Sequence, residues 1–249
     1  MLADIEILGV SIQMFGLFFG LNFLAWGAVA SRRLRELGRP SDWAYEIVFV
    51  CLGGGLVGAK LYWIVDNGAE LSFAGIFSGS GLTWYGGLAG GALAMLAWVR
   101  WRGMDVPHLV DIAAIGLPLG YAIGRIGCQI SGDGDYGVAS GLPWAMPYPD
   151  GVVPTTDDVH PSPIYETLSM GLLAYVLWRL RDRFRPGTLF GLYLIGAGVE
   201  RLLVEFVRRN EAELAGLTQA QVLAIVSMVV GAALLAVMAR RSGGLAAAA

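Results

Sequence analysis

The amino-acid sequence predicts an all-α membrane protein of about seven transmembrane helices, with the amino terminus outside and the carboxyl terminus in the cytoplasm. Hydrophobic residues make up 56% of the 249 residues and charged residues only 15%, and the mean hydropathy is +0.61. These values lie well outside the range of soluble domains of this size. Apolar stretches of about 20 residues, each long enough to cross a hydrocarbon core roughly 30 Å thick, recur along the chain. We therefore expect residues 1–249 to form a single polytopic domain.

Seven apolar segments are predicted to be the transmembrane helices. They cover approximately residues 9–30, 43–65, 82–100, 107–128, 164–180, 187–207 and 217–239. Between the fourth and the fifth lies a long polar connection, residues 129–163, which is rich in glycine, proline and aspartate. Loops of this length are commonly functional. We expect this one to form either a lid or a small cap on the outer side of the membrane.

The orientation follows from the distribution of lysine and arginine. A seven-helix arrangement places 12 of the 17 basic residues on one side of the membrane, namely Arg32, Arg33, Arg35, Arg39, Arg100, Arg102, Arg179, Arg181, Arg183, Arg185, Arg240 and Arg241. Basic residues in short connections mark the cytoplasmic side, so the amino terminus and the long connection are expected outside. The net charge of −3 and the dispersal of these residues leave no basic face for nucleic acid.

The remaining five basic residues break this pattern, because they lie in the outer halves or at the outer ends of predicted helices 2, 4 and 6. They are Lys60, Arg125, Arg201, Arg208 and Arg209. An unpaired arginine at membrane depth is costly, so such residues normally face the bundle interior and have a partner. One interpretation is a cationic pocket for the phosphate of an anionic lipid. The other is structural ion pairing with Glu166, Glu200 and Glu205.

Glycine-rich runs accompany these basic residues. Gly53–Gly58 precede Lys60, Gly86–Gly91 follow Tyr85, and four glycines from Gly116 to Gly127 surround Arg125. Small residues four apart let helices approach closely in lipid. They would also leave room for a lipid headgroup beside the backbone, and the sequence leaves both uses open.

Four polar motifs occur in a fixed order along the chain. They are Trp84-Tyr85-Gly86-Gly87, the segment Gly124–Gly137 (GRIGCQISGDGDYG), the segment His160–Glu166 (HPSPIYE) and the segment Gly198–Arg208 (GVERLLVEFVR). Together they resemble the bacterial prolipoprotein diacylglyceryl transferase family, and the similarity runs from about Phe15 to Arg208. The sequence is therefore identified as a divergent member of that family.

The resemblance implies a multi-pass enzyme of the bacterial inner membrane. Such an enzyme moves the diacylglyceryl group of phosphatidylglycerol onto the lipobox cysteine thiol of a lipoprotein precursor and releases glycerol phosphate. It implies no metal and no other cofactor. The expected partners are phosphatidylglycerol, a lipoprotein precursor or another acceptor on the outer side, and the surrounding membrane lipids.

Several site residues are carried over by position. Arg125 matches the arginine of the family signature, and Arg201 matches the arginine that contacts the lipid headgroup near the scissile bond. Glu205 and Arg208 match the charged pair that closes the same helix motif, and Lys60 aligns with an arginine of helix 2. Because the reaction displaces a phosphate ester, arginines that stabilise the leaving charge would contribute the largest catalytic effect.

The departures from the family concern the inner polar residues. Tyr85 stands where the family has a histidine before Gly86 and Gly87, Cys128 replaces the signature asparagine, Asp133 replaces its glutamate, and Phe15 aligns with an early tyrosine. These changes leave two alternatives beside lipoprotein modification. One is a lipid transferase that uses phosphatidylglycerol with a different acceptor, and the other is a non-catalytic lipid-binding or transport protein.

A thiol acceptor must lose its proton, and a tyrosine is itself protonated at neutral pH. His160 and Asp133 are therefore the candidates for proton removal, although His160 could instead cap the start of predicted helix 5. Cys128 is either a nucleophile or a small buried residue in the position of the asparagine. The predicted catalytic residues are Arg125, Arg201, Tyr85, Asp133 and His160; the predicted substrate-binding residues are Lys60, Gly86, Gly87, Cys128, Glu205 and Arg208, with no metal ligand.

Overall fold

The computed structural model describes residues 4–7, 10–66, 83–212 and 216–247. Within these ranges it contains seven long helices: α1 (Met14–Glu36), α2 (Trp43–Asp66), α3 (Trp84–Arg102), α4 (Val106–Ser131), α5 (Ser162–Leu180), α6 (Thr188–Glu205) and α7 (Gln219–Ser242). Two short antiparallel hairpins accompany them: β1 (Asp4–Ile7) with β2 (Val10–Gln13), and β3 (Met146–Tyr148) with β4 (Thr155–Val159).

The structure confirms the seven predicted helices, but the purely helical description and the bounds of the first and fourth helices were wrong. The first helix was predicted from residue 9, whereas β2 occupies Val10–Gln13 and α1 begins at Met14. Polar and apolar residues alternate in Asp4–Ile7 and Val10–Gln13, which is the period-two signal of a strand. The fourth helix continues to Ser131, so Cys128 is helical. The predicted third helix started at residue 82, which lies outside the described residues, as does the side chain of Phe15.

Three of the described helices, α2, α4 and α7, are long and apolar enough to cross a membrane. This finding agrees with the helical membrane protein expected from composition. The described residues cluster into two compact units. The smaller covers Ala30–Leu109, and the larger comprises the chain up to Val29 and from Val110 onward.

In the smaller unit, α2 and α3 pack backbone against backbone through their glycines. A Cβ atom added to Gly58 would lie 2.3 Å from the carbonyl oxygen of Gly86 and 2.7 Å from Cα of Gly90. A Cβ atom added to Gly86 would likewise lie 2.4 Å from the carbonyl oxygen of Gly58. These glycines therefore serve close helix packing, one of the two uses that the sequence left open.

Polar contacts join the same two helices at either end of this glycine contact. Glu46 of α2 accepts hydrogen bonds from Trp98 Nε1 at 2.9 Å and from Arg102 Nε at 2.8 Å, both on α3. Near the other end, the Thr83 hydroxyl donates to the carbonyl oxygen of Ala59 at 3.1 Å. These contacts fix the register of α2 against α3.

In the larger unit, the glycines of α4 receive side chains of α1. A Cβ atom at Gly116 would lie 1.9 Å from the Trp26 ring, and one at Gly120 would lie 2.0 Å from Oδ1 of Asn22. Asp111 of α4 accepts backbone hydrogen bonds from Gly187 at 2.8 Å and Phe190 at 3.0 Å. The first turn of α6 has no intrahelical acceptor for these donors, so Asp111 ties α4 to the start of α6.

The polar connection after α4 is folded, and we call residues 132–161 the cap. Its hairpin carries the fully buried Tyr148, whose ring stacks on that of Tyr136 with centroids 4.7 Å apart. The Tyr148 hydroxyl donates to Oε1 of Gln129 at 2.8 Å, which attaches the cap to the end of α4. The Tyr136 hydroxyl donates to the carbonyl oxygen of Val153 at 2.9 Å and closes the cap on itself.

The glycine contact between α2 and α3 can be tested with a matched pair of substitutions. We expect Gly58→Ala to lower the free energy of unfolding by about 2 kcal/mol or more, because its Cβ meets backbone that cannot move aside. Gly53→Ala on the same helix meets nothing within 4 Å and should be neutral or stabilising by up to about 1 kcal/mol. Thermal unfolding in detergent measures both, and equal shifts would contradict the packing.

Candidate functional site

Glu166 on α5 is the centre of the charged site in the larger unit. Its side chain is 0% exposed. Oε1 accepts hydrogen bonds from the Tyr121 hydroxyl at 2.7 Å and from Arg201 Nη1 at 3.3 Å. Oε2 lies 3.0 Å from Nε of Arg125, and Nη1 of Arg208 lies 3.4 Å and 3.5 Å from the two oxygens. One buried carboxylate therefore holds three guanidinium groups.

Asp135, on the cap, is the second carboxylate of the site. One of its oxygens pairs with Nη1 of Arg125 and the other with Nη2 of Arg208. Burial by itself would raise the pKa of Asp135, but the charges of Arg125 and Arg208 hold it below its ordinary value. The pKa of Arg208 is raised in turn, because Asp135 and Glu166 outweigh the effect of burial. Both groups are therefore charged at neutral pH.

Glu205 completes the charged set. Its Oε2 lies 2.9 Å from Nη2 of Arg201, one helical turn earlier on α6. Its Oε1 accepts hydrogen bonds from the Thr218 hydroxyl at 2.8 Å and from Nδ2 of Asn210 at 2.6 Å. Thr218 also forms a capping box with Gln221 at the start of α7. The arginine site is thus continuous with the junction between α6 and α7.

The structural interpretation of Arg125, Arg201 and Arg208 is confirmed in part, and the pocket for a lipid phosphate stays a prediction. The structural alternative is confirmed for Glu166 and Glu205, which pair with the arginines, whereas Glu200 accepts a hydrogen bond from the Ser169 hydroxyl at 3.4 Å. The side chains of Arg201, Arg125 and Arg208 nevertheless keep 27%, 14% and 10% of their surface exposed. The geometry is therefore that of an arginine site that carries its own counter-ions.

Two residues of this site were missed from the sequence. Tyr121 lies one turn before Arg125 on α4, accepts a hydrogen bond from its Nη2 at 2.9 Å, and places its ring 4.8 Å from the guanidinium carbon. The four-residue spacing was a usable signal. Asp135 lies two residues after Asp133, and only the path of the cap decides which of the two faces the arginines.

His160 lies at the end of the cap beside Tyr165. Its Nδ1 is 3.2 Å from the Tyr165 hydroxyl, which also accepts a hydrogen bond from Nε1 of Trp144 at 2.7 Å. The capping interpretation of His160 was wrong, because α5 begins at Ser162 after Pro161 and has no side-chain cap. The Ser162 hydroxyl instead donates to the carbonyl oxygen of Asp135 at 2.7 Å, which joins the His160 turn to the arginine site.

Comparison with known proteins decides the family. The family model described as prolipoprotein diacylglyceryl transferase matches residues 3–237. The chain belongs to the prolipoprotein diacylglyceryl transferase family. A phosphatidylglycerol–prolipoprotein diacylglyceryl transferase of Acinetobacter baumannii (strain SDF) is 32% identical over 240 residues, covering 89% of this chain and 86% of the relative. The protein of that name from Clostridium tetani is 29% identical over 232 residues, 91% of this chain and 93% of the relative.

Cys128 and Asp133, at which a departure from the diacylglyceryl transferase family pattern was expected, lie close to Asp135. Cys128 is buried, with its sulfur 3.7 Å from Nη1 of Arg125, and Asp133 accepts a hydrogen bond from the backbone N–H of Asp135 at 3.3 Å. One ligand atom from each of Cys128, Asp133 and Asp135 lies within 4.8 Å of the others. Such a set could hold a cation, but the adjacent charges of Arg125 and Arg208 oppose one.

The other predicted site residues of this diacylglyceryl transferase homologue belong to the smaller unit. Lys60 is buried, with its ammonium group 5.0 Å from the centre of the Trp63 ring. Tyr85 is 43% exposed at the start of α3. Gly86 lies in the helix contact described above, and Gly87 lies beside it. Their participation in the site stays a prediction.

The dependence of the site on Glu166 can be measured directly. We expect Glu166→Gln to lower the free energy of unfolding by about 3 kcal/mol or more, because three partly buried guanidinium groups lose the charge of their common, fully buried counter-ion. Glu211→Gln removes the same charge from an exposed residue beyond the end of α6. This control should change the free energy of unfolding by less than about 0.5 kcal/mol. Thermal unfolding in detergent compares the two, and similar values would contradict a central role for Glu166.

Proposed function

We propose that this protein transfers the diacylglyceryl group of phosphatidylglycerol to the lipobox cysteine thiol of a prolipoprotein and releases glycerol phosphate. The observation that carries the proposal is the convergence of Arg125, Arg201 and Arg208 on one site in a member of this family. The relatives named phosphatidylglycerol–prolipoprotein diacylglyceryl transferase support the donor, the acceptor and the class of enzyme.

The reaction forms a carbon–sulfur bond and breaks a carbon–oxygen bond. The acceptor sulfur attacks the glycerol carbon of the diacylglyceryl group, and the oxygen that leaves stays on the phosphate of glycerol phosphate. The developing negative charge therefore lies on phosphate oxygens. Guanidinium groups match these oxygens in geometry and charge. Donors that are already oriented before the reaction lower the barrier most effectively in a site shielded from water.

The thiol proton must pass to a base as the sulfur attacks. We assign this role to His160. In the tautomer whose Nδ1 donates to the Tyr165 hydroxyl, Nε2 has a lone pair that can accept the proton. The hydrogen bond from Trp144 to Tyr165 supports this arrangement by fixing the hydroxyl. Asp133 is the competing candidate, and Tyr85 would act as a further polar contact.

We further propose a multi-pass protein of the bacterial inner membrane with seven transmembrane helices, the amino terminus outside and the carboxyl terminus in the cytoplasm. The support is the set of 12 basic residues on one side of a seven-helix arrangement. Arg125 and Arg201 then lie in the outer halves of their helices, and the cap lies outside. That placement suits a lipoprotein precursor that presents its cysteine at the outer surface.

The donor assignment predicts that Arg125→Ala and Arg201→Ala each reduce release of glycerol phosphate from phosphatidylglycerol by about 10²-fold or more, because each removes a guanidinium from the leaving phosphate. Arg179→Ala, at the opposite end of α5, removes the same charge and should retain activity. The assay is mass spectrometry of the lipid and of a lipobox peptide after incubation with purified protein. Full activity in both site variants would refute the proposal.

The assignment of the base predicts a dependence on pH. We expect His160→Gln to reduce turnover by about 10²-fold at neutral pH, because the thiol has lost its proton acceptor. The deficit should shrink as the pH rises towards the pKa of the acceptor thiol, since the thiolate then forms without a base. Asp133→Asn and Tyr85→Phe should lose less activity. If Asp133→Asn instead lost turnover that high pH restored, while His160→Gln kept full turnover, the proton acceptor would be Asp133 and not His160.

A further inference from the structure

The two carboxylates that share Arg125 and Arg208 differ in how they are held. Glu166 is fully buried on α5 and also accepts hydrogen bonds from Tyr121 and Arg201. Asp135 belongs to the cap, and 32% of its side chain is exposed. A ligand that approaches the arginines can therefore replace Asp135 without removing a carboxylate from the protein interior.

Each of the two arginines divides its donors between the carboxylates. Arg125 directs Nε to Glu166 and Nη1 to Asp135. Arg208 directs Nη1 to Glu166 and Nη2 to Asp135. The two nitrogens that face Asp135 come from different guanidinium groups and reach different oxygens of the same carboxylate. Two non-bridging oxygens of a phosphate would use the same pair of donors.

We propose that Asp135 competes with the phosphate of phosphatidylglycerol. Its carboxylate occupies the anion position between Arg125 and Arg208 and thereby sets the affinity for the lipid. This inference rests on the proposed function, which supplies the phosphate. Arg125 and Arg208 already pair with Asp135 and Glu166, and Arg201 pairs with Glu166 and Glu205, so three guanidinium groups face three carboxylates. A phosphate that entered without displacing Asp135 would add negative charge to a balanced set, which is unfavourable away from bulk water.

The effect of neutralising Asp135 on phosphate binding distinguishes a competitor from a residue that only orients the arginines. A carboxylate that only orients the arginines would weaken phosphate binding when it is neutralised. A competitor has the opposite effect, because its removal frees the two donors while Glu166 still holds both guanidinium groups. The low pKa of Asp135 keeps the carboxylate charged between pH 6 and pH 8, so the competition operates throughout the range of a neutral assay.

The experiment compares Asp135→Asn with Asp135→Glu and with Asp150→Asn, which removes the same charge from an exposed residue of the cap. We expect Asp135→Asn to lower both the KM for phosphatidylglycerol and the inhibition constant of glycerol phosphate by about threefold to tenfold. The kcat should not rise, since the product also binds more tightly. Asp135→Glu keeps the competing charge and should therefore not lower either constant. Asp150→Asn, outside the site, should stay within about twofold of the unchanged protein.

A raised or unchanged KM in Asp135→Asn would overturn the inference, and so would an equal decrease in Asp150→Asn. Asp135→Ser serves as a second neutral variant if the asparagine variant does not fold, and it has the same expected outcome. The binding of glycerol phosphate is also measured directly by calorimetry. Because this measurement needs no turnover, it tests the role of Asp135 independently of the proposed function. Absence of turnover in the unchanged protein, together with tighter binding in Asp135→Asn, would contradict the proposed function alone.

Discussion

The buried carboxylate of Glu166 faces Tyr121 and Arg125 from α4, Arg201 from α6 and Arg208 just beyond α6. Moving any of these charges out of water costs several kcal/mol, which only well-placed partners offset. The three arginines share one carboxylate on α5, and Asp135 and Glu205 supply their further partners. Helices α4, α5 and α6 are held in register by the same interaction that assembles the site.

This arrangement explains how a cationic site can be stable before it binds an anion. Arg125, Arg201 and Arg208 are balanced by Asp135, Glu166 and Glu205, so the site needs no ligand to fold. The counter-ions are unequal, however. Glu166 and Glu205 are carried by helices and have 0% of their side chains exposed, whereas Asp135 is carried by the cap. Glu166 and Glu205 thus stabilise the arginines permanently, whereas the proposed entry of the lipid phosphate involves only Asp135.

Sequence reasoning located the helices and the arginines because both rest on local rules, namely the length of apolar segments and the cost of charge at membrane depth. It named Asp133 and passed over Asp135, because two residues of a turn-rich segment are equivalent until the path of the cap is known. It also overlooked the strand alternation at Asp4–Ile7. Whether Gly58 and Gly86 serve packing was undecided for the same reason, since only the partner helix shows what lies beside them.

The cap carries both halves of the proposed chemistry. The side chain of Asp135 faces Arg125 and Arg208. The backbone carbonyl oxygen of Asp135 accepts a hydrogen bond from the Ser162 hydroxyl, two residues after His160. The backbone N–H of Gly137 donates to the carbonyl oxygen of His160 at 2.8 Å, so the two segments are also joined through the backbone. If the proposed phosphate displaces Asp135, it acts on the segment that carries His160, and the two proposed roles are then coupled through this short piece of chain.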